Sequence, residues 1–208
     1  MKLYYSPGAC SMAIHITARE AGVPVSLVKV DLRAHKTEDG ADFYAINPKG
    51  YVPAVELPEG GVLTEVAALV QYVAEKAPQS GLAPAAGAPE RYRFLEWLTF
   101  VSSELHKGMS PLFYPTTTAE AKAGIKEKLA TRFAILEKAL TGRDYLTGSR
   151  FTAADAYAFT ILNWTGMLGV DLQPFPAVRA FMDRVAARPA VQEAMRAEGV
   201  LKATAQAA

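Results

Sequence analysis

Residues 46–65 read INPKGYVPAVELPEGGVLTE, and this stretch decides the fold. Asn47, Pro48, Gly50 and Pro53 punctuate its first part. Residues 54–57 then run as a short strand, Pro58, Glu59, Gly60 and Gly61 form a turn, and Val62 and Leu63 return. That pattern predicts a β-hairpin. Directly after it Val66, Leu69, Val70 and Val73 fall at i, i+3, i+4 and i+7, with Thr64 before Glu65 as the start, which predicts an amphipathic helix.

Working upstream, residues 2–5 are a strand candidate stopped by Ser6, Pro7 and Gly8. Residues 11–21 contain neither glycine nor proline and end at Gly22, a natural helix C-cap. Residues 25–30 are rich in β-branched side chains and read as a second strand. A βαβ unit of this kind predicts two parallel strands with a right-handed crossover. A polar segment holding His35, Lys36 and Thr37 connects it to the hairpin.

Downstream, residues 78–89 shift to Pro, Gly, Ala and Ser with no apolar period, as a linker does. Beyond it only helical patterns occur. Phe94, Trp97, Leu98, Val101 and Leu105 mark one face, and Ile125, Leu129, Phe133, Leu136 and Leu140 mark another. Thr152 with Asp155 resembles a capping box, with Phe151 as the N′ residue of a hydrophobic staple. Val178, Phe181, Met182 and Val185 give a further helix, and a short one from Val191 precedes an Ala-rich tail expected to fray. The expected architecture is an α/β domain over residues 1–78, a linker over 79–89 and an all-α helical bundle over 90–208.

Composition narrows the function. With 22 Lys+Arg against 21 Asp+Glu in 208 residues, the chain lacks the basic footprint of a nucleic-acid binder, so no nucleic-acid partner is expected. No apolar stretch reaches a bilayer span, so no membrane partner is expected. The N-terminus has no room for a signal-peptide core, which makes a cytoplasmic location the default. A single cysteine excludes an intramolecular disulfide framework, and three scattered histidines show no metal spacing. There is also no Gly-rich phosphate loop.

Four positions could carry chemistry. Cys10 lies at or next to the start of the first helix, where free N–H groups and the helix dipole favour a thiolate; alternatively it is a small buried hydrophobe. Pro53 stands where an X-Pro bond is either cis, turning the preceding backbone outward, or an ordinary trans turn. Glu65 either holds a substrate ammonium beside helix amides that take a carboxylate, or simply complements the dipole. His106, near the end of the first long helix with Gly108 and Pro111 closing it, either donates to a sulfur or carboxylate or caps carbonyls. His15 reads as a helix-surface or packed residue and His35 as part of a polar loop.

Five motifs in order, MKLYYSPGACS (1–11), INPKGYVPAVEL (46–57), LTEVAALVQYVAEK (63–76), SSELHKGMSPLF (102–113) and FTAADAY (151–157), resemble a cytosolic glutathione transferase of the bacterial beta class. The resemblance runs from Met1 to about Lys202. It implies a thioredoxin-like first domain, a helical second domain lining a hydrophobic substrate site, a homodimer, and an active site in the cleft between domains. Glutathione would be the co-substrate, with no cofactor. Val52, ahead of a cis Pro53, would pair its backbone with the cysteinyl part of glutathione. Glu65 and Val66 would hold the γ-glutamyl end, Cys10 would face the glutathione sulfur and be able to form a mixed disulfide with it, and His106 would lie close to that sulfur. Ser103, Glu104 and Leu105 would complete the contacts, part of them reaching the partner subunit's glutathione.

Two departures stand out. His35, with Lys36 next to it, stands where relatives carry a lysine toward the glycine carboxylate, and Thr99 stands where they carry an asparagine. Val66 is also bulkier than the glycine common there. Tyr5, Ser6 and Pro7 with Met109, Phe113 and Tyr114 would wall an apolar or aromatic electrophile. The expected function is a glutathione transferase that directs the glutathione thiolate at hydrophobic electrophiles. The alternatives are glutathione-dependent thiol-disulfide exchange through Cys10 and a non-enzymatic carrier of hydrophobic ligands.

Overall fold

A computed structural model describes residues 1–201. The Ala-rich tail from residue 202, expected to fray, lies outside the described residues. The chain forms two compact units, one of Met1–Ser80 with the described residues from Ala187 onward, the other of Gly81–Ala186.

The first unit is built on a mixed five-stranded sheet in the order β3-β2-β1-β4-β5. Its strands are β1 (Lys2–Tyr5), β2 (Ser26–Asp31), β3 (Lys36–Thr37), β4 (Ala54–Glu56) and β5 (Val62–Thr64). β1 and β2 are parallel with Leu3 beside Leu27, as the βαβ reading requires. β4 runs antiparallel to β1, with Val55 opposite Leu3, and pairs with β5 through Val55 and Leu63, which is the expected hairpin. Helices α1 (Met12–Ala21) and α3 (Val66–Glu75) pack on one another. Ile14, Ile16, Leu69, Val70 and Val73 are fully buried, the hydrophobic stripes that give these helices their stability. Gly22 ends α1 in the left-handed conformation, its N–H bonding back to Ala18 and Arg19 carbonyls.

Two short elements occupy the segment expected to be only polar connection. β3 adds antiparallel to β2 through Val30 and Thr37, and α2 (Phe43–Ile46) is capped by the Asp42 carboxylate, which accepts from the Tyr44 N–H. Phe43 is fully buried, with its ring 5.9 Å from that of Tyr4. Neither element is long enough to establish a hydrophobic period.

The last described helix, α10 (Pro189–Ala197), packs on α1. Sequence grounds place it with the helical domain, because its apolar face of Val191, Ala194 and Met195 carries no mark of which surface it covers. The specifying contacts are polar: Arg188 Nε reaches Glu20 at 2.6 Å and Arg19 reaches Glu193 at 3.0 Å.

The second unit is helical. α4 (Pro89–Phe100) continues through a π-helical turn at Val101–His106 into α5 (Lys107–Met109) and a 3₁₀ turn at Ser110–Phe113. Next come α6 (Ala119–Leu140), α7 (Ala153–Leu162), α8 (Thr165–Leu168) and α9 (Pro176–Ala186). All ten residues of α7 are buried, and α4, α9 and the π-helical turn pack around it. Its sequence AADAYAFTIL is apolar all round, with alanines that let neighbours approach closely. The predicted cap is present: Asp155 accepts from the Thr152 N–H at 2.8 Å and the Thr152 hydroxyl at 2.9 Å, while its other oxygen accepts from the Leu146 N–H at 2.8 Å.

Candidate active site

In the first unit Cys10 sits just before α1, in a turn tied at both ends. Ser11 Oγ accepts from the Ser6 N–H at 3.3 Å, and Ala9 N–H bonds to the Ser6 carbonyl at 3.0 Å. Cys10 is 8% exposed and its thiol donates to the Val52 carbonyl at 3.4 Å. The residue is thus buried, as the second sequence reading has it, and it lies at a helix start.

This turn has a partner that sequence reasoning missed. The Gly8 N–H donates to Glu198 Oε2 at 3.0 Å, and Glu198 Oε1 lies 2.9 Å from His15 Nδ1. Both side chains are almost fully buried. Arg19 Nε donates to His15 Nε2 at 2.9 Å, so that nitrogen is an acceptor and the ring hydrogen lies on Nδ1, directed at the carboxylate. A buried carboxylate needs such donors, and it has three groups supplying or orienting them. The only sequence signal was His15 within a run of apolar residues; 183 residues separate it from Glu198.

Residues 47–53 join the other first-unit candidates. The Val52–Pro53 bond is cis, which decides the alternative left open by the sequence. Asn47 Nδ2 donates to the Tyr51 carbonyl at 2.7 Å and its oxygen accepts from the Lys49 N–H at 3.2 Å, fixing the segment. Its members then reach outward. Gly50 carbonyl accepts from His35 Nδ1 at 3.0 Å, Val52 carbonyl accepts from Cys10, and Lys49 Nζ and Tyr51 Oη donate to Glu65 Oε1 at 2.5 and 3.1 Å. The Glu65 hydrogen bond holds the Lys49 ammonium above its ordinary pKa.

Glu65 precedes α3 with φ 73°, an uncommon conformation for a residue with a side chain, and one associated with functional sites. Its carboxylate makes no capping bond to α3, so the N–H groups of that ten-residue helix are not taken up by it. Val66, the first helical residue, is buried. His35 also has a positive φ, 49°, and both its nitrogens are engaged, Nδ1 by Gly50 and Nε2 by the Tyr44 hydroxyl at 3.3 Å. Lys36 is exposed on β3, and among the described residues its ammonium has no hydrogen-bond or ion-pair partner.

The remaining candidates belong to the second unit. His106 ends the π-helical turn, with Nδ1 2.7 Å from the Tyr157 hydroxyl. The imidazole meets the Trp164 ring edge-on at 5.2 Å, and Trp164 meets Phe113 at 5.1 Å. A π-helical turn adds a residue to the helix register and is frequent at functional sites. Thr99 and Ser103 are exposed, and their hydroxyls bond back to the Leu95 and Thr99 carbonyls, each at 2.9 Å. Glu104 pairs with Arg132 at 2.9 Å. Leu105 and Met109 are fully buried, so their side chains serve the core of this unit, whereas Phe113 and Tyr114 are exposed. Tyr157 and Trp164, which meet His106 here, are not among the candidates singled out from the sequence. Among the described residues no group of three or more His, Cys, Asp or Glu could hold a metal ion, and no helix is long and apolar enough to cross a membrane.

The chain and its fold have relatives among known proteins. Residues 8–76 match the family described as Glutathione S-transferase, N-terminal domain, and residues 100–189 match Glutathione S-transferase, C-terminal domain. The chain is 44% identical to glutathione S-transferase GstA of Escherichia coli O157:H7 over 96% of its own length and 100% of the relative's. It is 38% identical to glutathione S-transferase GST-4.5 of Xanthomonas campestris pv. campestris, over 96% of this chain and 100% of that one. Among solved structures, the ternary complex of BphK, a bacterial GST, superimposes with a TM-score of 0.94 at 49% identity, covering 96% and 100% of the two chains. The bacterial beta class glutathione S-transferase of Sphingomonas chungbukensis gives 0.93 at 43% identity, covering 97% and 100%. The expected fold, a thioredoxin-like unit with a helical unit, is therefore borne out, and the chain belongs to the glutathione S-transferase family, with structural neighbours in the bacterial beta class.

Proposed function

We propose that this glutathione transferase binds glutathione along residues 47–53 and uses the peptide's thiolate to attack hydrophobic electrophiles. The observation that carries the reading is the Cys10 thiol on the Val52 carbonyl, which sets a sulfur against the backbone of the segment before Pro53. Backbone pairing there would hold the cysteinyl residue of glutathione like an added strand and displace the Cys10 thiol from the carbonyl. Glu65 would take the γ-glutamyl ammonium while α3 amides from Val66 onward receive its carboxylate. Lys36 takes the glycine carboxylate in this reading, because both nitrogens of His35 are already used within the protein.

Chemically, the thiol gives its proton to water, the sulfur forms a bond to an electrophilic carbon, and the leaving group or the neighbouring atom takes the electron pair. Cys10 and His106 are the groups proposed to face that sulfur. Thr99, Ser103, Glu104 and the backbone of Leu105 complete the contacts, part of them toward the partner in a homodimer. Phe113 and Tyr114, exposed aromatic rings, support an apolar or aromatic electrophile. A detoxifying role in the cytoplasm fits this chemistry.

The test is conjugation of a generic aromatic electrophile by wild type and Cys10→Ala, with Cys10 alkylation followed against pH with and without glutathione. Conjugation retained within about tenfold in the variant assigns the nucleophile to bound glutathione. Loss of all conjugation, with glutathione protecting Cys10 from alkylation, would favour the second reading. In that reading Cys10 attacks a glutathionylated disulfide and a second glutathione resolves the mixed disulfide; a lone thiol is suited to it. No turnover and no protection would sink both and leave a binding protein.

A further inference from the structure

We infer that Tyr157 is a positioning residue for His106: its buried hydroxyl donates to Nδ1, holds the ring in the Nε2–H form, and makes His106 a hydrogen-bond donor toward the glutathione sulfur rather than a base. The inference rests on the proposed place of His106 beside that sulfur. Tyr157 is 1% exposed on the fully buried helix α7, and its oxygen lies 2.7 Å from Nδ1. A buried phenol has no freedom to exchange that partner for water, and an unmet one would cost the desolvation of the group.

The direction of the bond follows from the two groups. A neutral imidazole has one bare nitrogen, which accepts better than a phenol oxygen whose lone pairs are shared with its ring, while the phenol O–H is the stronger donor. The O–H of Tyr157 therefore points at Nδ1, which leaves the ring hydrogen on Nε2. Packing keeps the ring from turning over. Tyr157 stands edge-on to it at 5.8 Å and 87°, and Trp164 at 5.2 Å and 70°. Trp164 is itself braced by Phe113 at 5.1 Å and 87°. The π-helical turn brings His106 to this cage, and α7 supplies the hydroxyl, so two elements fix one imidazole. An Nε2–H donor already in place meets sulfur charge without waiting for a proton.

The three histidines of the chain make the tautomer readable by long-range ¹⁵N–¹H correlation on histidine-labelled full-length protein, with His106→Asn identifying the signals. At a pH where the ring is neutral, wild type is expected to show His106 as Nε2–H alone, and Tyr157→Phe a mixture of tautomers. The same variant is expected to lower kcat about tenfold with the KM for glutathione within about twofold, the size of one lost hydrogen bond. Adding Tyr157→Phe to His106→Asn should then cost nothing further. An Nδ1–H signal in wild type overturns the proposal even if the Tyr157 variant folds poorly. So does an unchanged tautomer in Tyr157→Phe, or additive losses in the double variant. Absence of conjugation in wild type with the Nε2–H form intact would instead overturn the functional reading, and with it the donor role, while leaving the Tyr157–His106 bond in place.

Discussion

At Gly50 the backbone takes φ 72°, and a methyl group added there would run into the Tyr44 ring. The positive φ opposes any residue with a side chain, while the half-exposed Tyr44 ring would have to swing aside, and the same peptide's carbonyl holds His35. Gly50→Ala is expected to destabilise the protein by about 2 kcal/mol and to raise the KM for glutathione more than it lowers kcat. Chemical denaturation and steady-state kinetics check this; an unchanged KM would separate Gly50 from the binding segment. Gly50 entered the sequence reading as turn punctuation, which was right about its backbone and silent about Tyr44. Cys10, Pro53, Glu65 and His106 were legible because each sits beside a break in the local pattern: a turn, a proline, a helix start, a helix end. Lys49, Tyr51 and Tyr157 were not. Their importance comes from partners that only the fold brings near, as with Tyr157 and His106, 51 residues apart.

Among the elements, α7 states its own beginning most clearly, through Thr152 and Asp155. Asp155 is fully buried, and burial raises its pKa from 3.8 to about 6 against the lowering effect of the Leu146 and Thr152 donors. Between those two values the folded protein keeps a proton that the unfolded chain has released. The contribution is therefore full below about pH 4 and is lost as pH rises through about 6. Asp155→Ala is expected to cost about 3 kcal/mol by orphaning those donors, and the cost should be larger at pH 4 than at pH 7. Urea unfolding at the two pH values reads this directly; a larger cost at pH 7 would mean the hydrogen bonds outweigh burial. The hairpin, α1 and α3 were equally legible, since each combines a clear period with a clear stop. The π-helical turn was not, because the apolar positions at 94, 97, 98, 101 and 105 suit a continuous α-helix as well as an interrupted one.

For the molecule as a whole, the notable fact is that the first unit is not one stretch of chain. It is left at Ser80 and completed by α10 and Glu198, which closes on His15 and Gly8. Breaking a buried charged contact is costly, so Glu198→Ala should lose about 3–5 kcal/mol and Glu198→Gln less. A fragment ending at residue 80 should stay unfolded by circular dichroism, and joining residues 187–201 to it through a flexible linker should restore the fold. A folded short fragment would show that α10 is dispensable. The division into an α/β and a helical part was readable from the linker composition and the change of period. The return of α10 was not, since an amphipathic helix declares that it has a buried face and not where. That return sets an order of events during synthesis. Translation makes the turn carrying Cys10 long before Glu198, which follows Gly8 by 190 residues. The nascent chain thus carries the Cys10 thiol in an unfinished setting until α10 and Glu198 have emerged, and the tie between Gly8 and Glu198 closes only then.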